Sequence, residues 1–161
     1  MNNHTITISV TNEPGVLSRI VDLFSGRGFN IESLTVAPTL DSAYSRVTIV
    51  TYGDDRAIEQ ILKQLNRLIP ILKVMDLNVA EAIEIEVALI KVHSKDETRA
   101  QIMQSVAATN AKIVDVTDKT YTIQIIGDTK QINALIELLK PIGIKEFVRS
   151  GKVAMSKSAS I

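Results

Sequence analysis

The order of strand and helix signals along the chain restricts its fold more than any single motif does. His4–Val10 (HTITISV) alternates Ile6, Ile8 and Val10 with Thr and Ser, the period-two pattern of a half-buried strand. Val16, Leu17, Ile20, Val21 and Phe24 then recur at helical spacing, with Ser18, Arg19 and Asp22 on the opposite face. Asn30–Pro38 and Ala43–Tyr52 read as strands joined by the polar turn Thr39–Ser42. Gly53-Asp54 breaks the second of these, and Asp54 or Asp55 is placed to cap a helix carrying Ile58, Ile61, Leu62, Leu65 and Ile69. Pro70 ends that helix, and Ile71–Asn78 forms a closing strand. The order is β-α-β-β-α-β.

The remainder repeats the plan. Ile83–His93 reads as a strand, Asp96–Ala108 as a helix, Lys112–Thr117 and Thr120–Ile126 as strands, Thr129–Leu139 as a helix and Ile144–Arg149 as a last strand. The second helices of the two halves align over a shift of 74 residues: Gly53-Asp54 falls on Gly127-Asp128, and Ile58, Ile61, Leu62 and Leu65 fall on Ile132, Leu135, Ile136 and Leu139. The expected fold class is α+β: two tandem ferredoxin-like βαββαβ units, residues 1–78 and 79–161, joined near Asn78–Ala82. Halves of this size have marginal cores. Each would leave one sheet face and an edge strand open, so oligomerisation or docking of the halves is expected. The tail after Ser156 (KSASI) is short and polar and receives no role.

Composition narrows the functional classes. The 161 residues carry 18 basic and 18 acidic side chains, and the basic ones are dispersed. No net field draws the chain to nucleic acid or anionic lipid. The absence of cysteine excludes disulfides, zinc–thiolate sites and thiol catalysis. MNNHTITISV has no basic and apolar secretory leader, and no apolar run approaches membrane-spanning length, so a cytoplasmic location is expected.

Catalytic chemistry is hard to place. His4 and His93 sit at strand ends in different halves, without ligand-type neighbours, and read as exposed or strand-end polar residues. No serine lies in a nucleophile elbow, and no carboxylate pair is isolated in an apolar segment. An RNA binder of this fold would stack bases on central-strand aromatics, which the presumed first strand lacks. An acylphosphatase-like phosphate cradle would face Glu13 in its own loop. No metal site and no catalytic residue are expected.

The first strand-to-helix loop, TNEPGVL, is the exception. The first-turn amides of Gly15, Val16 and Leu17 suit a carboxylate, with the helix dipole behind them and no Cβ at Gly15. Asn12 both donates and accepts, as a zwitterion requires. Asn30 opens an edge strand, so two copies pairing along that edge would bring Asn30 of one to the loop of the other, with Ile31 and Leu34 walling a small apolar pocket. Asn12 also reads as a helix N-cap, Gly15 as a turn residue and Asn30 as a strand-start residue. The corresponding second-half loop, HSKDET, has neither glycine nor proline. A mere requirement of the fold would recur in both halves, and this contrast favours function.

Three segments carry a more specific likeness: N-E-P-G-V-L-S-R; L-F-S-G-R-G-F-N-I-E-S-L-T-V-A-P; and S-R-V-T-I-V with G-D-D. Together with K-I-V-D-V-T, Y-T-I-Q and E-F-V-R-S-G-K-V-A-M-S in the second half, they resemble the regulatory (small) subunits of acetolactate synthase, whose N-terminal half is an ACT domain. The resemblance implies a non-catalytic subunit that activates a large catalytic subunit and transmits feedback inhibition by valine in branched-chain amino acid synthesis. It implies thiamine diphosphate, magnesium and FAD on that large subunit and no cofactor in this chain. It also implies a homodimer in which valine lies between ACT domains, held by Asn12, Gly15, Val16 and Leu17 of one protomer and Asn30 and Ile31 of the other. A free-standing amino-acid sensor regulating a different partner is the alternative.

Overall fold

The computed structural model describes residues 2–79 and 81–157. Two compact units emerge, one of Met1–Ile83 with Lys152–Ile161, the other of Glu84–Gly151. The sequence reading drew the boundary after residue 78 and gave the closing segment to the second half; here that segment groups with the first. Of the short polar tail, residues 158–161 lie outside the described residues.

In the first unit, β1 (Asn2–Thr11), α1 (Val16–Ser25), β2 (Ile31–Pro38), β3 (Tyr44–Gly53), α2 (Asp55–Leu65) and β4 (Ile71–Asp76) follow the expected order. The antiparallel sheet runs β2-β3-β1-β4, which puts β2 at an edge. Ile6, Ile8 and Val10 point to one face because strand side chains alternate. There they meet Val16, Ile20 and Phe24 of α1 and Ile58, Ile61 and Leu65 of α2 in one buried cluster. Asp54 caps α2, its carboxylate accepting from the Ala57 amide at 2.8 Å.

That helix stops at Leu65, with Asn66 as its C-cap, earlier than the apolar spacing implied. Leu65 is the last side chain to reach the core, whereas Ile69 lies beyond the helix and is 96% exposed. The sheet face away from the helices is not open along its centre either, since Thr5, Thr7, Thr48 and Val50 are buried there. Part of the cover is the closing segment. Strand β9 (Val153–Ser156), which has no counterpart in the sequence reading, lies against β1, and the Lys152 ammonium donates to the Thr5 hydroxyl at 3.4 Å.

The second unit repeats the architecture with β5 (Ala82–His93), α3 (Asp96–Ala108), β6 (Lys112–Val116), β7 (Thr120–Gly127), α4 (Thr129–Leu139) and β8 (Ile144–Arg149), in the sheet order β6-β7-β5-β8. Asp128 caps α4 through the Gln131 amide, 74 residues after the equivalent bond of Asp54. The core gathers Ala88, Ile90 and Val92 with Ile123, Ile125, Ile132, Leu135 and Leu139. Its opposite sheet face is open, and Val87, Leu89, Ile126 and Val148 remain exposed on it. Among the described residues no helix is long and apolar enough to cross a membrane.

Candidate functional site

The loop between β1 and α1 is held from both sides by backbone bonds. Thr11 N–H donates to the Pro70 carbonyl at 2.9 Å and Asn12 N–H to the Ala43 carbonyl at 2.8 Å. The Asn12 side-chain amide donates to the Ser42 carbonyl, also at 2.9 Å. Asn12 therefore ties the loop to the β2–β3 turn and is not the N-cap of α1.

That position belongs to Gly15, whose φ of +84° lies in the left-handed region where glycine alone pays no Cβ penalty. A Cβ built there would meet no atom within 4 Å, so the backbone faces open space. The helical ladder begins with Arg19 N–H donating to the Gly15 carbonyl at 3.1 Å. The amides of Gly15, Leu17 and Ser18 precede it, and Val16 N–H makes only a long bond of 3.4 Å to the Glu13 carbonyl. No side chain caps this end of α1. In the second unit the N-cap of α3 is Lys95, in extended backbone, its amide donating to the Thr98 hydroxyl at 3.3 Å, and there too no N-cap side chain bonds a first-turn amide. Val16 is buried in the core while Leu17 is 38% exposed, which leaves one apolar side chain beside the bare amides.

At its other end α1 is closed by Gly28, φ +72°, with Phe29 N–H donating to the Phe24 carbonyl at 3.0 Å. The chain then enters β2 through Asn30. The Asn30 carbonyl accepts from the Thr51 hydroxyl at 2.7 Å, and its side-chain amide donates to Glu32 at 2.7 Å. Ile31 and Leu34 are half-buried against the core of their own unit.

The register fixes how these residues relate. Thr11 pairs with Tyr44 at one end of the sheet, and Ile31 pairs with Thr51, itself opposite His4, at the other. Seven residue steps at about 3.3 Å separate the two ends by roughly 23 Å. One chain thus brings Asn12, Gly15, Val16 and Leu17 together and holds Asn30 and Ile31 far from them.

The histidines differ from the sequence reading in one case. His93 is exposed at the end of β5, but His4 is buried. Its Nδ1 lies 2.8 Å from Asp76 Oδ2, a partner 72 residues away that no local pattern announces.

Two βαββαβ units in tandem, the first with an uncapped, glycine-opened helix start and a β2 edge, define a tandem ferredoxin-like protein of the ACT type. Residues 6–73 match the family model of the AHAS small subunit-like ACT domain, and residues 85–158 match that of the small subunit of acetolactate synthase. The chain is 49% identical over its whole length to the acetolactate synthase small subunit of Aquifex aeolicus, covering 84% of that protein. It is 47% identical over 94% of its length to a probable acetolactate synthase small subunit of Archaeoglobus fulgidus, covering 95% of it. The crystal structure of the small subunit from Thermotoga maritima superposes with a TM-score of 0.88 at 37% identity, covering 99% of this chain and all of that one. The chain belongs to the family of acetolactate synthase small subunits.

Proposed function

We propose that this chain is the regulatory partner of a large catalytic acetolactate synthase subunit in the cytoplasm. It raises that subunit's activity and confers feedback inhibition by valine, while catalysis, thiamine diphosphate, magnesium and FAD reside on the large subunit. The observation that carries the reading is the bare start of α1. No side chain caps its amides, and the N-cap is a left-handed glycine with open space above it, whereas the N-cap of the second unit's equivalent helix is Lys95, in extended backbone. Such a helix end attracts a carboxylate.

Edge-strand geometry supports a shared site. Two copies pairing β2 with β2 across a two-fold axis run antiparallel, and the start of each β2 then faces the end of its partner. Pro38 ends β2 at the same sheet end as Asn12, since both Pro38 and Val10 pair with Ser45. Asn30 and Ile31 of one protomer would so approach Asn12, Gly15, Val16 and Leu17 of the other. Valine bound in that seam favours one dimer arrangement over another, and a coupling of about 1–3 kcal/mol is what such linkage supplies.

The test is reconstitution with a large subunit. Stimulated activity that valine suppresses, with suppression lost and stimulation kept in Gly15→Asp, supports the reading. Unchanged inhibition in Gly15→Asp refutes the site. A chain that binds valine yet never joins a large subunit is instead a free-standing sensor.

A further inference from the structure

The turn Thr39–Ser42 reads as polar, yet its second residue is Leu40, whose side chain stands fully exposed at the tip of the β2–β3 hairpin. The tip is not slack. Tyr44 N–H and the Thr39 hydroxyl both donate to the Asp41 carbonyl, at 3.0 and 2.9 Å, and Ala43 N–H donates to Asp41 Oδ1 at 3.0 Å, as in an Asx turn. Asn12 then fastens the tip to the β1–α1 loop, through its backbone N–H to Ala43 and its side chain to Ser42. A leucine fixed in water by such a frame buries no area and stabilises nothing in its own chain.

The proposed valine seam lacks what Leu40 offers. A branched aliphatic ligand needs apolar walls besides the polar groups that orient it. Ile31 and Leu34, expected to supply them, pack against the core of their own unit and leave only part of their surface free. Of the apolar pair that follows Gly15, Val16 is buried and Leu17 alone is exposed.

Edge pairing carries Leu40 to this gap. β2 spans Ile31–Pro38, so a two-fold axis through its midpoint, between Leu34 and Thr35, sets Pro38 of one copy opposite Ile31 of the other. Two residues further on, Leu40 comes opposite Phe29 and beside Asn30 of the other copy. The Asn12 tether keeps it at the same time next to the loop of its own chain. The apolar tip therefore stands over the opening between the two halves of the seam.

We infer that Leu40 is a specificity-determining residue of the valine site, an apolar wall that each protomer extends over the ligand's isopropyl group where the other protomer contributes Asn30. The inference rests on the shared site proposed above and adds to it the side chain that senses the size of the ligand's own.

Amide proton–nitrogen NMR of the ¹⁵N-labelled chain, following the Gly15 and Leu17 signals, tests this with L-valine and L-alanine as probes. Both carry the same ammonium and carboxylate, and only valine has side-chain atoms beyond Cβ. Leu40→Ala should fold as the parent does, because the side chain it removes is already in water. It should weaken valine binding about five- to tenfold and leave alanine binding within about twofold, so that the preference for valine falls. Leu40→Met, which restores an apolar side chain of similar volume, should recover that preference. Undiminished valine affinity in Leu40→Ala overturns the inference. So does an equal loss for both amino acids, which traces to the hairpin or the dimer and not to a wall. Unchanged valine affinity with weakened binding of a large subunit also overturns it and assigns Leu40 to that partner. A parent chain without a saturable valine shift refutes the shared site itself, an outcome distinct from all of these because they begin from a parent that binds.

Discussion

Replacing Gly15 separates backbone strain from ligand chemistry. Its φ of +84° is left-handed, and a Cβ there would touch nothing within 4 Å, so the steric surroundings contribute no cost of their own. An L-residue in this conformation costs about 1–2 kcal/mol, and the whole of it should appear in Gly15→Ala. Asp tolerates the left-handed region better than Ala, and a carboxylate at a helix start gains roughly 0.3–1 kcal/mol from the dipole. Gly15→Asp should therefore be the more stable of the two variants, within about 1 kcal/mol of the parent.

The order for valine inhibition is reversed. Alanine adds one methyl in open space and should weaken inhibition only in part, whereas aspartate places a competing carboxylate on the amides and should abolish it. Thermal or urea denaturation measures the first ordering. Activity of the reconstituted enzyme over a valine series measures the second. If Gly15→Ala is as stable as the parent, the left-handed assignment is wrong. If both variants lose inhibition in proportion to lost stability, the site argument fails, because strain alone would explain the effect.

Other expectations concern the frame. Asp54→Ala and Asp128→Ala each remove one N-cap bond, at 2.8 Å in both cases, and should each cost about 0.5–2 kcal/mol in urea denaturation, additively since the caps lie on different helices. On β5, Ile90→Ala empties a fully buried position and should cost about 2–5 kcal/mol, whereas Leu89→Ser, on the open face at 42% exposure, should leave the stability of an isolated chain within about 0.5 kcal/mol. The hydrogen bond and charge of Lys91 hold the exposed Glu146 carboxyl below its ordinary value, and Glu146 in turn raises Lys91. The carboxylate's contribution is present above the usual carboxylate range and fades as pH falls through its depressed value. The lysine's is present below the usual lysine range and fades as pH rises through its raised value. Stability-versus-pH curves of the parent and Lys91→Met should therefore differ by a small constant across neutral pH and converge at both extremes.

The elements legible in the sequence were those with a local cause. HTITISV could alternate only as a strand, and Asp54 and Asp128 announce their helices because a cap needs no distant partner. What failed depended on residues far apart in the chain. Ile69 continued an apolar spacing, but α2 ends where Leu65 stops reaching the core. His4 looked like a strand-end polar residue because its partner, Asp76, lies across the sheet. Strand β9 is four residues long, too short for alternation to register. In the candidate site, Gly15 was readable from its place beside Pro14 at a helix start. The bond from Asn12 to Ser42 was not, since it joins two loops 30 residues apart.

The most direct measurement is a crystal structure of the dimer grown with saturating valine. The account predicts valine between two protomers, its carboxylate on the amides of Gly15, Val16 and Leu17 of one copy and within reach of Asn30 and Ile31 of the other. Valine bound elsewhere, or a dimer whose β2 edges lie apart with the Gly15 amides open to solvent, would contradict it.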